Sequence, residues 1–426
     1  MKLSQPVPPP PPPPVPTRPP PPPPTCHPPL PLLTSPAVRF AEHVRARLAD
    51  IEHAGLLRTP RRVTSPQGPT AVVDGREVVL LCSNDYLGHA AHPDLAAAQR
   101  DALARWGSGA AASRLISGTM SPHREAELAL ARFAGQESSL LFSSGYAANV
   151  GAISALVGPG DLVLSDTLNH ASLIDGCRLS RARVLVYRHA DVEHAAELLT
   201  AHRHEARTAL LVTDSIFSMD GDLAPLAALR DLADRFDAGL YVDEAHALGV
   251  RGPGGRGLCA ELDLDPDVIL GTLGKSLGLG GAFVTASSDV IRLVENRARS
   301  FVFSTGTPPA LAAAVPTALH LLERADEGRA RLAAHTARLR RELPALGFDV
   351  PAGETPIIPV LLGEPAAAMR VSAALLERGV FAHGIRPPTV PQGTSRLRLV
   401  PTAAHTDEHL DRVLHAFAAV AADRRR

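Results

Sequence analysis

Lys275 lies in Gly271-Thr-Leu-Gly-Lys-Ser-Leu-Gly278, directly after the apolar run Asp267-Val-Ile-Leu270. A strand that ends in a glycine-rich turn presents the lysine amine at the edge of a sheet. Upstream, Gly239-Leu-Tyr-Val242 runs into Asp243-Glu-Ala-His246. Two strand ends that deliver Asp, His and Lys fit a site for a carbonyl-bearing cofactor. The amine can condense with the carbonyl, and the carboxylate can hold a protonated ring nitrogen. A buried carboxylate needs a cationic partner, and a charge-assisted hydrogen bond to a pyridinium N–H is worth on the order of 1.5–3 kcal/mol. His246 can reach the ring hydroxyl, although taken alone it reads as a satisfied structural histidine.

Gly274-Lys275-Ser276 has the look of a P-loop, and Asp-Glu-Ala-His that of an RNA-helicase box. The P-loop pattern needs a glycine at position 269, where the chain has Ile269. In helicases the P-loop precedes the acidic box, whereas here it follows, so an ATPase reading fails. Phe142-Ser-Ser-Gly-Tyr-Ala-Ala-Asn149 is a strand, a glycine-containing turn and a helix start. Free N–H groups at Gly145 and Tyr146 and the helix dipole suit an anion there, and the same pattern also serves an ordinary strand–helix turn. Asn169-His170-Ala171-Ser172 puts His170 at another helix start, where it can stack on a cofactor ring; alone it reads as structural.

The elements that must position these residues follow from periodicity. Short apolar runs read as buried parallel strands at 139–142, 162–165, 184–187, 210–214, 240–243 and 268–272. Helical patterns lie between most of them, at 147–156, 171–179, 192–199 and 225–236. That is α/β with a mostly parallel sheet, and such sheets bind ligands beyond the carboxyl ends of their strands. Asp214, Ser218, Asp243, His246, Thr272 and Lys275 all fall at or just after strand ends. An earlier helix is expected at 37–51 and a hairpin at 72–81, turning at Asp74-Gly75. After Pro308-Pro309, helical segments at about 310–345, strands at 357–362 and 396–400, and helices at 366–378 and 406–421 read as a smaller α+β domain. The expected domains are a proline-rich extension at 1–36, an N-terminal segment at 37–88, a large α/β domain at 89–311 and a C-terminal α+β domain at 312–426.

The 426 residues carry 45% hydrophobic side chains and a net charge of −1, which argues against a dedicated nucleic-acid binder. Cys26, Cys82, Cys177 and Cys259 are scattered, with no zinc spacing. They fit a reduced, cytoplasmic setting and no metal site. No apolar run approaches the roughly 18 residues of a membrane span, and no secretory signal is visible. Proline runs at Pro8–Pro14 and Pro19–Pro24 read as solvated polyproline II. Their sharper reading is a docking ligand for a PPII-binding domain.

The chain resembles the α-oxoamine synthases, pyridoxal-phosphate enzymes of fold type I, from about residue 55 to 420. The segments that carry the resemblance are Cys82-Ser-Asn-Asp-Tyr-Leu-Gly88, Ser113-Arg-Leu-Ile-Ser-Gly118, Ser144-Gly-Tyr-Ala-Ala-Asn149, Asn169-His-Ala-Ser172, Phe217-Ser-Met-Asp-Gly-Asp222, Asp243-Glu-Ala-His246, Thr272-Leu-Gly-Lys275 and Phe303-Ser-Thr305. Each is weak alone; their order and spacing are specific. Ile385-Arg-Pro-Pro-Thr-Val-Pro391, with Gly393, Arg396-Leu-Arg398 and Ala403-Ala-His405, is similar to the biotin-pathway branch of the family.

The resemblance implies pyridoxal 5'-phosphate held by Lys275, with Asp243 on the ring nitrogen, His246 and Ser218 near the ring hydroxyl, and His170 stacked on the ring. It implies phosphate contacts from Gly145, Tyr146 and Thr272, and from Ser304 and Thr305 toward the partner subunit of a homodimer. Asn84 and Arg398 would hold the amino-acid carboxylate. Arg58 and Thr389 would line the acyl side, and Arg386 would add a cation suited to an acid-tailed acyl chain. The implied activity is the decarboxylative condensation of L-alanine with pimeloyl-CoA or pimeloyl carrier protein. Two alternatives are a relative that joins glycine or serine to another acyl-CoA, and a non-catalytic scaffold acting through the proline arm. Tyr146 stands where many relatives have Phe, a neutral change if the backbone does the binding.

Overall fold

A computed structural model describes residues 39–425. The polyproline expectation for 1–36 lies outside the described residues. The first helix, α1 (Phe40–His53), belongs to a unit that ends at Leu57. None of its residues is buried. Everything from Arg58 onward forms a second unit, described below.

The expected hairpin is present as β1 (Thr70–Val73) and β2 (Arg76–Leu80). Asp74 and Gly75 both take positive φ, 49° and 81°, the geometry that lets a two-residue turn follow the strand twist. Next come α2 (Pro93–Trp106) and α3 (Ser121–Ala134), which the apolar periodicity did not single out.

A seven-stranded sheet then forms from β3 (Ser138–Phe142), β4 (Leu162–Asp166), β5 (Arg183–Tyr187), β6 (Ala209–Asp214), β7 (Gly239–Asp243), β8 (Val268–Thr272) and β9 (Ala282–Ala286). Its order is β3-β9-β8-β7-β6-β4-β5. The neighbours from β5 through β8 are parallel. Helix α4 (Gly145–Leu156) follows β3, and α5 (Ala171–Ser180) follows β4. Leu162, Val163, Leu164, Val212, Tyr241, Val242 and Leu270 are all essentially inaccessible, as expected for strands covered on both faces. Full burial of each such aliphatic side chain stabilises by about 1.5–3 kcal/mol.

One strand departs from the sequence reading. β9 pairs antiparallel with both β8 and β3, and Ala282-Phe-Val-Thr-Ala286 was not read as a strand. The chain doubles back right after Lys275. Leu273 donates to the Gly281 carbonyl at 2.9 Å, and Leu279 donates to the Leu273 carbonyl at 2.9 Å. Hairpin closure, rather than a hydrophobic period, makes this strand.

The C-terminal part contributes β10 (Ile358–Gly363), β11 (Val380–Phe381), β12 (His383–Ile385) and β13 (Ser395–Leu399). β13 is central in the order β10-β13-β12, whereas β11 joins the hairpin in a sheet β1-β2-β11. Val79, Leu81, Leu339, Phe348, Val360, Leu397 and Phe417 share one core. The hairpin therefore packs with the C-terminal sheet. We propose domain limits at 88/89 and 311/312.

The loop after β6 ties the two parts together. Thr355 Oγ1 donates to the Gly221 carbonyl at 2.5 Å. Gly221 has φ +73°, and a Cβ there would stand 2.3 Å from the Ile357 carbonyl oxygen, so only glycine fits.

Candidate active site

The strand ends deliver their polar residues to one cavity of about 350 Å³, lined among others by Asn84, His170, Ser218, His246, Lys275 and Arg398. Its size suits a small ligand. Asp214 and Asp243 lie side by side in register on β6 and β7. Burial, and then the charge of Asp243, push Asp214 well above the usual carboxylate range. Asp214 Oδ2 accepts the His170 backbone N–H at 2.7 Å.

Lys275 is pulled down to about 8 by burial, against the attraction of Asp243 and Asp214, with Arg398 adding to the lowering. A useful share of its amine is thus free base near neutral pH, as a nucleophile or general base requires.

Asp243 is buried, and each of its oxygens accepts a hydrogen bond while keeping room for another. Its Oδ2 accepts from Asn149 Nδ2 at 2.7 Å and its Oδ1 from the Ala245 N–H at 2.9 Å. The same Asn149 Nδ2 donates to Ser172 Oγ at 2.9 Å, while Asn149 Oδ1 accepts the Tyr241 hydroxyl at 2.9 Å. A carboxylate only accepts, so the amide orientation is fixed by Asp243. Ser172 then turns its hydroxyl proton toward His170 Nδ1, 2.7 Å away, which also receives the Ser172 N–H at 3.3 Å. With Nδ1 accepting, the His170 ring proton sits on Nε2. His246 is set in a similar way: the Tyr86 hydroxyl stands 2.7 Å from its Nδ1. Burial, and then the cations Lys275 and Arg398, hold His246 well below its ordinary pKa, so it is neutral. Asn149, Tyr241, Ser172 and Tyr86 were not among the site residues read from sequence. A polar amide inside the small, apolar α4 was the one visible signal.

Arg398, on β13, donates from Nε to the Ser218 carbonyl and from Nη1 to Asn84 Oδ1 at 3.0 Å. Its Nη2 is buried without a partner. Leaving such a group unpaired costs about 1–3 kcal/mol or more, and an anion in the cavity would satisfy it.

At the other end, Ser144 caps α4 by accepting the Ala147 N–H at 3.1 Å. Among the described residues no acceptor takes the Gly145 or Tyr146 N–H. A Cβ at Gly145 would meet the Thr272 methyl at 2.9 Å, and Thr272 Oγ1 is buried and unpaired. A phosphate would satisfy these donors. Tyr146 turns its own hydroxyl outward to Asp175. Together the donor set fits a group with a carbonyl, a protonated ring nitrogen and a phosphate.

The remaining expected residues lie farther out. Arg58 Nη2 reaches Thr389 Oγ1 at 3.4 Å. Burial, followed by the charges of Arg386, Arg61 and Arg58, lowers the pKa of His383, which lines the cavity beside Ile385. A belt of arginine thus borders that wall, although Arg58, Thr389 and Arg386 do not line the cavity itself. Ser304 and Thr305 line a separate small cleft with Arg114 and Phe142; within one chain they are not part of the Lys275 cavity.

A mostly parallel α/β sheet that gathers a depressed lysine, a buried aspartate and an anion cradle defines a class of enzymes that hold a carbonyl cofactor covalently. The chain belongs to the aminotransferase class I and II family, which it matches over residues 76–417. It is 50% identical over 382 residues to an 8-amino-7-oxononanoate synthase of Geobacter sulfurreducens, covering 88% of this chain and 97% of that one. It is 51% identical over 382 residues to the synthase of the same name from Anaeromyxobacter dehalogenans, covering 89% and 96%. Among solved structures it is similar to serine palmitoyltransferase from S. paucimobilis with a bound PLP–myriocin aldimine. There the TM-score is 0.85 at 33% identity, covering 90% of this chain and 97% of that one. The fold is fold type I of the PLP-dependent transferases, as the sequence resemblance implied.

Proposed function

We propose that the chain condenses L-alanine with a pimeloyl thioester, borne by CoA or by acyl carrier protein, releasing CO2 and free thiol and forming 8-amino-7-oxononanoate for biotin synthesis. The cofactor is pyridoxal 5'-phosphate, the assembly a homodimer with shared sites, and the setting cytoplasmic. The observation that carries this reading is the lysine of lowered pKa beside Asp243 in a cavity that also presents an unpaired guanidinium nitrogen. The relatives' shared name supports the substrates.

When bound, the cofactor supplies a carbonyl anchor and an electron sink for the charge left when the amino acid loses its Cα proton. Lys275 would anchor it, Asp243 would hold its ring nitrogen, and His170 would stack on its face. His246 and Ser218 would face its hydroxyl side. Gly145, Tyr146 and Thr272 would hold its phosphate, with Ser304 and Thr305 offered to the partner subunit. Arg398 and Asn84 orient the alanine carboxylate. Lys275, free base in part at neutral pH, is placed to take the Cα proton. Arg58, Thr389 and Arg386 receive the acyl chain, whose acid end suits the arginine belt.

Lys275→Ala should abolish turnover with the circular-dichroism spectrum unchanged; wild-type-like turnover in that variant would end this mechanism. The likeness to serine palmitoyltransferase favours one competing reading, in which glycine or serine meets another acyl-CoA. A panel of amino acids against acyl thioesters separates the two. A scaffold acting through the proline arm predicts a colourless protein.

A further inference from the structure

A second polar centre stands outside the cavity, on the loop that supports it. His189, just beyond β5, sets Nδ1 3.0 Å from Asp166 Oδ1 and Nε2 2.6 Å from Asp222 Oδ2. Asp166 ends β4, is buried, and also accepts the Leu168 and Ala190 N–H groups, each at 2.8 Å. The His189 ring meets Phe217 edge-on, with centroids 4.4 Å apart. Carboxylates only accept, so both ring nitrogens donate and His189 is an imidazolium. Burial opposes that charge, but Asp166 and then Asp222 outweigh it and raise the pKa to about 10.

Asp222 belongs to a tightly closed loop. Phe217 N–H donates to the Asp222 carbonyl at 3.0 Å, Gly221 N–H to the Phe217 carbonyl at 2.8 Å, and Ala224 N–H to the Ser215 carbonyl at 3.0 Å. On one side Asp222 pairs with His189; on the other Asp220 pairs with Arg396 of β13. Ser218 and Met219 directly precede Asp220 in this loop and line the cavity. The Ser218 carbonyl receives Arg398 Nε. Nothing in the proposed chemistry uses His189, yet it is the only strong link from the β4–β5 edge to this loop among the described residues.

We propose that His189 is a positioning residue for amino-acid recognition: by clamping Asp222 to the end of β4 it fixes the Ser218 carbonyl, and through it the guanidinium of Arg398 that receives the substrate carboxylate. The inference rests on the reading of Arg398 given above. Loss of the clamp leaves Lys275 and Asp243 in place and loosens the carboxylate fork.

The test compares wild type, His189→Gln, Asp222→Asn and the double variant, each as holoenzyme. L-Alanine binding is followed by absorbance, and KM and kcat are measured for both substrates. The single variants should raise the Kd and KM for L-alanine by roughly tenfold, the scale of weakening one hydrogen bond to a charged group. kcat at saturating alanine and the KM for the acyl thioester should change little. The double variant should be no worse than either single one, because all three break the same link. Asp222→Asn is nearly isosteric and keeps the test valid should His189→Gln fail to fold. Unchanged alanine affinity, a loss confined to kcat, or additive losses would each overturn the clamp. A wild type that ignores L-alanine, glycine and L-serine alike overturns the reading of Arg398 and the clamp with it. A responsive wild type with equally responsive variants overturns the clamp alone.

Discussion

At the scale of single residues, the site divides into groups to which the proposal assigns chemistry and groups that tell them where to stand. Lys275, Asp243, His246 and His170 were legible as residues brought to one place, because each sits where an apolar run ends or a helix begins. Asn149 and Tyr86 were not, because their partners lie 94 and 160 positions away, and no local pattern announces such a bond. Asn149→Ala strips a donor from Asp243 and Ser172 and an acceptor from the Tyr241 hydroxyl. It should cost about 1–3 kcal/mol in urea unfolding and make the cofactor easier to dialyse away. Retention of wild-type stability would contradict the network. Arg398→Lys keeps the charge and loses the fork that spans Ser218, Asn84 and the cavity. The KM for L-alanine should rise about tenfold or more, since hydrogen bonds to charged groups are worth about 1.5–3 kcal/mol, and kinetics with varied alanine would read it.

At the scale of elements, the parallel strands were legible because each carries a short, uninterrupted apolar run, such as Leu162–Leu164, Val184–Val186 or Val268–Leu270, with helical patterns between most of them. β9 was not, because a glycine-rich reversal defines it more than its own composition does. The His189 clamp joins elements far apart in sequence and was equally invisible. It carries a pH signature. Its pKa is raised in the folded state, to about 10 from an ordinary 6.5, so its contribution to stability is complete below about pH 6.5 and is lost as pH climbs through 10. The gap in thermal midpoint between wild type and His189→Gln should therefore be widest near pH 6 and close near pH 10. A gap that grew with pH would reverse the assignment.

At the scale of the whole molecule, a few close approaches bind the large sheet to the C-terminal one. Gly221→Ala forces a Cβ toward the Ile357 carbonyl and strains a left-handed φ. It should destabilise by about 1–3 kcal/mol from the backbone alone, and it should blunt L-alanine binding because Ser218 rides on the same loop. Urea unfolding together with an alanine titration would show both effects or neither. The C-terminal sheet was legible only in outline: β13 was seen, and its place between β10 and β12 was not, because pairing order leaves no mark on a strand's own residues. One last consequence concerns the amine at 275. Of the 43 Lys and Arg side chains only Lys2 and Lys275 are lysines. A lysine-specific protease acting on the denatured chain therefore cuts after Lys2 and after Lys275, and a reduced adduct on the Lys275 nitrogen would block the second cut. The fraction of polypeptide left uncut there, read on a gel, would then measure, molecule by molecule, how much of the preparation had been carrying its prosthetic group.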